Sequence, residues 1–104
     1  EKYARLGGLG NKRQMQLTLK EMTRIPLQVC RYAGFLKPFC RELEKIGNKN
    51  LKVDARVAAK MLDSGFYASR LNVLTNLKYI QGRIFIAGVK RQLKTTETQK
   101  SGMF

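Results

Sequence analysis

The longest regular pattern of hydrophobic positions lies between residues 26 and 46. Apolar side chains recur there at intervals of three and four residues, and basic side chains occupy positions between them. This spacing places the apolar positions on one side of a helix. The stripe comprises Val29, Tyr32, Ala33, Leu36, Phe39, Cys40, Leu43 and Ile46. It predicts a central helix with a buried apolar face, in which Pro38 produces a kink rather than a break.

Shorter patterns predict further helices around this one. Pro26 disfavours the helical conformation at the residue before it, so we expect the first helix to end there. Glycine and asparagine at residues 47–50 indicate a loop, and the Asp-Ser-Gly sequence at residues 63–65 indicates a turn. The predicted outer helices span residues 12–24, 54–62 and 67–81, with Gly82 as the final stop.

A short β element is predicted near residues 83–89. Three consecutive bulky apolar residues, Ile84 to Ile86, lie between Gly82 and Gly88. A short apolar run bounded by glycines is typical of a strand. The predicted fold is therefore mainly α, a small bundle of about four helices with one short β element, winged-helix-like at best.

The composition divides the chain into three parts. Residues 1–10 contain three glycines in four positions and indicate a flexible arm. Residues 11–89 carry the helical patterns, and a chain of 104 residues forms one domain. Residues 90–104 are rich in lysine, threonine and glutamine and indicate a basic tail.

The charge gives the first indication of function. Twenty-one Lys and Arg against seven Asp and Glu leave a formal net charge of +14. The positive side chains of such a protein repel one another, and a net charge of this size is typical of proteins that bind a polyanion. Because the basic residues are spread along the chain, the sequence favours a structural RNA-binding subunit of a ribonucleoprotein, with RNA favoured over DNA and with other protein subunits as partners.

The sequence offers little support for an enzyme. It contains no histidine, the commonest general base, and its two cysteines cannot complete a tetrahedral zinc site alone. If Cys30 and Cys40 share one helix, their separation is about 15 Å along the axis, too far for a disulfide. We therefore predict two free thiols, no catalytic residue, no metal site and no cofactor. Free thiols favour a reducing, intracellular compartment, with an organelle matrix as one option.

The predicted nucleic-acid-binding residues centre on the helix over residues 67–81. Its polar side chains Ser69, Asn72 and Asn76 follow at intervals of three and four and present amide and hydroxyl groups on one face. Such groups can contact bases or backbone oxygens, while flanking cations contact phosphate. The full predicted set is Lys12, Arg13, Lys52, Arg56, Lys60, Ser69, Arg70, Asn72, Asn76, Lys78, Arg83, Lys90 and Arg91.

The sequence is also compatible with two alternatives. The order of two helices, a turn containing Gly65 and a strand resembles a winged helix or a helix-turn-helix, which implies a DNA-binding protein of transcription or replication whose second helix enters the major groove. A basic accessory subunit of a larger protein or membrane-associated complex is the other alternative. No run of the sequence is long and apolar enough to predict a membrane-spanning helix.

Overall fold

Three α-helices make up the described part of the chain. The computed structural model describes residues 9–100, with side chains from residue 11 onward. The helices are α1 (Leu9–Ile46), α2 (Lys49–Leu77) and α3 (Arg83–Lys100). The predicted mainly α class is confirmed. The predicted number of helices and the β element are wrong, because residues 9–100 contain three helices and no strand.

The first helix is longer than predicted. It continues through both Pro26 and Pro38, so the predicted end at Pro26 is wrong, whereas the absence of a break at Pro38 agrees with the prediction. A proline removes one hydrogen bond from a helix interior and leaves the remaining ladder in place. Tertiary packing supplies most of the stability of a protein helix, and α1 buries residues on both sides of Pro26, from Leu19 to Cys40.

The connection between α1 and α2 is short. Gly47 and Asn48 separate the two helices, as the sequence predicts for the end of α1. The Asn48 side chain accepts a hydrogen bond of 2.9 Å from the backbone N–H of Leu51 and caps α2. The second helix therefore begins at Lys49 rather than at Asp54.

The predicted turn at residues 63–65 is absent, because α2 runs continuously through it. Asp63 instead accepts hydrogen bonds from Lys37 Nζ at 2.6 Å and Lys100 Nζ at 3.0 Å. This carboxylate therefore joins all three helices. The helix predicted over residues 67–81 is the second half of α2 and ends at Leu77.

Residues 83–89 form the start of α3, not a strand. The positions that α3 buries, Val89, Leu93 and Thr96, follow the spacing of a helix, while Ile84 is 91% exposed. Gly82 precedes α3 with a φ of +120°, a conformation that favours glycine. Residues 90–100, assigned to the tail by composition, also belong to α3. The predicted arm over residues 1–10 lies outside the described residues except for its last two residues, which begin α1; residues 101–104 of the predicted tail lie outside them too.

The first helix lies between the other two. Its antiparallel neighbour α2 contacts one side, and α3 runs in the same direction as α1 along another side. The arrangement is flat, with dimensions of 60 × 28 × 14 Å. The shared core contains Leu19, Leu27, Cys30, Ala33, Phe66, Val73, Leu77, Ile80, Val89 and Leu93.

The predicted core stripe of α1 is largely exposed. Leu36 and Leu43 are 42% and 39% exposed, and Ile46 is 73% exposed. Of the predicted stripe, only Ala33 and Cys40 are buried. From residue 30 to residue 40, the buried face instead follows the smaller side chains of Cys30, Ala33 and Cys40, which allow α2 and α3 to approach α1 closely. Val53, Val57 and Met61 of α2 are also exposed.

The closest approach between α1 and α3 is at Gly34. A Cβ atom placed there would lie 2.7 Å from Thr96 Cγ2 and 2.8 Å from the Thr96 carbonyl oxygen. Glycine therefore allows the two backbones to come together at this level. Seven residues further along α1, the Arg41 guanidinium donates a hydrogen bond to the Lys100 carbonyl. These two contacts fix the C-terminal half of α3 on α1.

Candidate functional site

A polar groove lies between α1 and α3. It consists of three neighbouring cavities of about 440, 260 and 420 Å³, and Arg31 lines all three. These volumes fall within the range typical of small-molecule sites or slightly below it. The polar lining residues are Arg24, Gln28, Arg31, Arg91, Gln92, Thr95 and Gln99. We call this the α1–α3 groove.

The side chains that line the groove come from regular positions on two helices. Gln92 and Gln99 are seven residues apart on α3 and lie on one face of it. Gln28 and Arg31 lie opposite them on α1, three residues apart. The glycine contact at residue 34 keeps the helices close, so these two sets of side chains face one groove.

The groove presents hydrogen-bond donors that the protein leaves available. Within residues 11–100, neither Arg31 nor Arg91 makes an ion pair with a carboxylate. Arg24 pairs with Glu21 at 2.9 Å, but both side chains are about 70% exposed and such a pair is weak. Two guanidinium groups beside three amides can bind a carboxylate or another oxyanion.

The floor of the groove is neutral. The buried hydroxyl of Thr23 donates to the Leu19 carbonyl at 2.8 Å, and that of Thr96 donates to the Gln92 carbonyl at 2.7 Å. Each hydroxyl therefore already donates its hydrogen to a backbone carbonyl of its own helix. Leu27, Val89 and Phe85 line the wider end, which suits the apolar part of a ligand.

The described residues place no reactive thiol in this groove. Cys30 is buried, and its Sγ lies 3.6 Å from the Phe66 carbonyl oxygen. Burial raises the pKa of this thiol to about 11, so it stays protonated at neutral pH. Both cysteines are free, as predicted.

The residues predicted to bind nucleic acid do not form one surface. Lys12 and Arg13 are exposed at the start of α1, and Arg91 is the member of the predicted set that lines the α1–α3 groove. Arg70 and Lys90 line a separate cavity of about 310 Å³ between α2 and α3. There, Arg70 Nε lies 2.9 Å from Glu97 Oε1 without the alignment of a hydrogen bond.

The other predicted residues are distributed along α2 and its end. Lys52, Arg56 and Lys60 are spaced by four along the helix, and Arg56 Nε pairs with Glu44 Oε1 at 2.7 Å. Ser69, Asn72 and Asn76 continue along α2, while Lys78 and Arg83 flank the connection to α3. The sequence prediction missed Arg24, Gln28, Arg31, Gln92 and Gln99. The seven-residue spacing of Gln92 and Gln99 could have indicated that they share one face of a helix. The prediction did not use this spacing, because it assigned residues 90–104 to a tail.

Comparison with known proteins places the chain in an enzyme family. The model of the family described as formiminotransferase-cyclodeaminase matches residues 10–95, which include nearly all of α1, all of α2 and most of α3. The chain belongs to the formiminotransferase-cyclodeaminase family. No solved structure matches it.

Curated relatives carry the same name. The chain is 32% identical over 81 residues to the formimidoyltransferase-cyclodeaminase of Sus scrofa, a match that covers 78% of the chain and 15% of that protein. It is 34% identical over 71 residues to the Rattus norvegicus protein, covering 68% of the chain and 13% of that protein. The chain thus spans about one seventh of the length of these relatives.

These matches correct the functional prediction. The family is one of enzymes, so the prediction of a non-catalytic nucleic-acid-binding protein is wrong, and so are the ribonucleoprotein, winged-helix and nucleic-acid partner assignments. The high positive charge misled the prediction, because charge indicates which ligands a surface attracts but does not identify a fold or a reaction. Within the described residues, no helix is long and apolar enough to cross a membrane, and no cluster of three or more metal-binding side chains occurs.

Proposed function

We propose that the chain is a substrate-binding part of a cyclodeaminase-type enzyme and that the α1–α3 groove holds an anionic part of the substrate. The family match carries this proposal, because it extends over the α1 wall of the groove and over the α3 wall as far as residue 95, and so includes Arg31 and Arg91. The guanidinium of Arg31 lines all three cavities and pairs with no carboxylate among residues 11–100, which supports the assignment of the groove.

The relatives' name describes a formimidoyl group and a ring closure with loss of ammonia. In such a reaction a neighbouring nitrogen attacks the formimidoyl carbon. The bond from that carbon to its terminal nitrogen breaks, and this nitrogen leaves as ammonia after taking up a proton. A formimidoyl group is basic and carries a positive charge when protonated. Arg31 would repel it, so we assign Arg31 to a carboxylate or other anion elsewhere on the same substrate.

The polar lining of the groove suits binding and orientation. Its side chains are guanidinium, amide and hydroxyl groups, with Tyr32 at one edge and no carboxylate or thiol. Arginine stays protonated at working pH, so it cannot act as the proton acceptor. We therefore propose that the groove fixes the substrate position, which alone can supply a large part of a rate enhancement, and that proton-transfer groups lie elsewhere in the enzyme.

Calorimetric titration tests this proposal. The ligand carries a formimidoyl group and a carboxylate, and a matched ligand lacks the carboxylate. We expect the first ligand to bind and Arg31→Gln to weaken its binding about 10- to 100-fold, since hydrogen bonds to charged groups contribute about 1.5–3 kcal/mol. The control Arg13→Gln removes an exposed cation outside the groove and should leave binding unchanged. Equal binding of the two ligands would contradict the role of Arg31.

A further inference from the structure

The cavity between α2 and α3 is lined mainly by cations. Its volume is about 310 Å³, and its lining residues are Arg70, Leu74, Lys90, Leu93, Lys94 and Glu97. We call it the α2–α3 cavity. Its residues from α3 follow at intervals of three and four and therefore share one face of that helix. Arg91 and Gln92 lie on another face and line the α1–α3 groove, so α3 separates the two sites.

The lining of the α2–α3 cavity has an excess of positive charge. Lys90 and Lys94 are one turn apart on α3, and like charges at this spacing repel each other. Neither lysine pairs with a carboxylate among residues 11–100. With Arg70, the cavity holds three cations and one carboxylate, an excess of two positive charges. A ligand with two negative charges would neutralise this excess.

The guanidinium of Arg70 retains donors for such a ligand. Its Nε lies 2.9 Å from Glu97 Oε1, yet this buried nitrogen has no aligned hydrogen bond within the described residues. Glu97 is also the only carboxylate among residues 11–100 that pairs with Arg70. A guanidinium carries five N–H donors in a planar fork, and this fork matches the oxygens of a phosphate group. Arg70 on α2 and the two lysines on α3 can therefore approach one anion from both walls.

We propose that the α2–α3 cavity binds a phosphate dianion, either free or as the phosphate group of a small phosphomonoester. A phosphomonoester carries a charge of about −1.5 to −2 at pH 7 and three strong acceptor oxygens, which matches the excess charge of the lining. The cavity volume lies at the lower end of the range for small-molecule sites. Leu74 and Leu93 offer apolar surface to an organic group. This inference does not rest on the proposed function, because it uses no residue of the α1–α3 groove.

Phosphorus NMR titration of the full chain at constant ionic strength tests the site. The probes are inorganic phosphate and phenyl phosphate, and we expect saturable binding of both. Lys94→Gln should raise the Kd about 10-fold, because a hydrogen bond to a charged group is lost. Glu97→Gln removes the carboxylate that repels the anion and should lower the Kd about 3-fold or more. Lys60→Gln is the matched control, since it removes an exposed cation of α2 outside the cavity and should leave the Kd unchanged.

The two probes distinguish the sources of the phosphate group. Tighter binding of phenyl phosphate supports the site with a phosphorylated organic ligand, and equal binding supports it with free phosphate. Circular dichroism checks that each variant keeps its helices. Absence of saturable binding of both probes would overturn the proposal, and so would a Kd that Lys94→Gln leaves unchanged or that Lys60→Gln raises equally. A Kd that responds to Arg31→Gln but not to Lys94→Gln would place the anion in the α1–α3 groove, which overturns this site and leaves the proposed function standing.

Discussion

Gly34→Ala tests the close packing of α1 and α3 directly. The added methyl group would lie 2.7 Å from Thr96 Cγ2 and 2.8 Å from its carbonyl oxygen. A side-chain methyl can rotate away, but the carbonyl belongs to the backbone of α3 and moves only if the helix shifts. Overpacking of this kind costs about 1–3 kcal/mol. This cost exceeds the gain of up to about 1 kcal/mol that alanine gives over glycine in a helix.

Gly88→Ala is the matched control. It lies in α3, and a Cβ atom there would meet no atom within 4 Å. We expect this variant to be more stable than the parent by about 0.5–1 kcal/mol. Because both variants gain the same helix propensity, they should differ by the overpacking cost alone, about 1–3 kcal/mol, which can be measured by urea unfolding followed by circular dichroism. If Gly34→Ala were as stable as Gly88→Ala, α3 would not rest on Gly34 and the groove would have a different shape.

Three further outcomes follow from the described contacts. Hydrogen bonds from Lys37 and Lys100 lower the pKa of Asp63 below its usual value of 3.8, so the carboxylate should stabilise the fold above pH 3.8 and lose this effect as the pH falls further. Asp63→Asn should cost about 1–3 kcal/mol at pH 7. It should also remove this acid dependence, which unfolding at several pH values would check. Phe66→Ala should cost about 3–5 kcal/mol because the side chain is fully buried, whereas a smaller loss on denaturant unfolding would place Phe66 outside the core. Native Cys30 should react with a thiol reagent far more slowly than the unfolded chain does, and rapid labelling would show that the thiol is accessible.

The sequence predicted the helical class correctly but assigned the wrong face of α1 to the core. Bulky side chains such as Leu36 and Phe39 produced the clearer periodic pattern, and we expected them inside. The structure buries smaller side chains, Cys30 and Ala33, because short side chains allow helices to approach closely. A hydrophobic pattern alone offers no rule for choosing between two apolar faces of one helix.

Helix ends were predicted where local signals were strong and missed where packing overrode them. Gly47 and Asn48 end α1 as expected, and the Asn48 side chain caps the start of the following helix. Pro26 and the residues 63–65 looked like breaks but lie inside long helices. The α1–α3 groove was not predicted from the sequence, because one of its walls is the part of α3 that was predicted to be a tail.

The family membership leads to one direct functional test. In a chimera, the segment of the Sus scrofa relative that aligns with this chain is replaced by the matching residues of this chain. The relative's name includes two activities, so formimidoyl transfer reports that the chimera is intact, while ammonia release reports cyclodeamination. The account predicts a chimera that retains both activities. Arg31→Gln in this chimera should slow ammonia release and spare formimidoyl transfer. A chimera that transfers the formimidoyl group but releases no ammonia would contradict the proposed function, and unchanged ammonia release in Arg31→Gln would contradict the role of the groove.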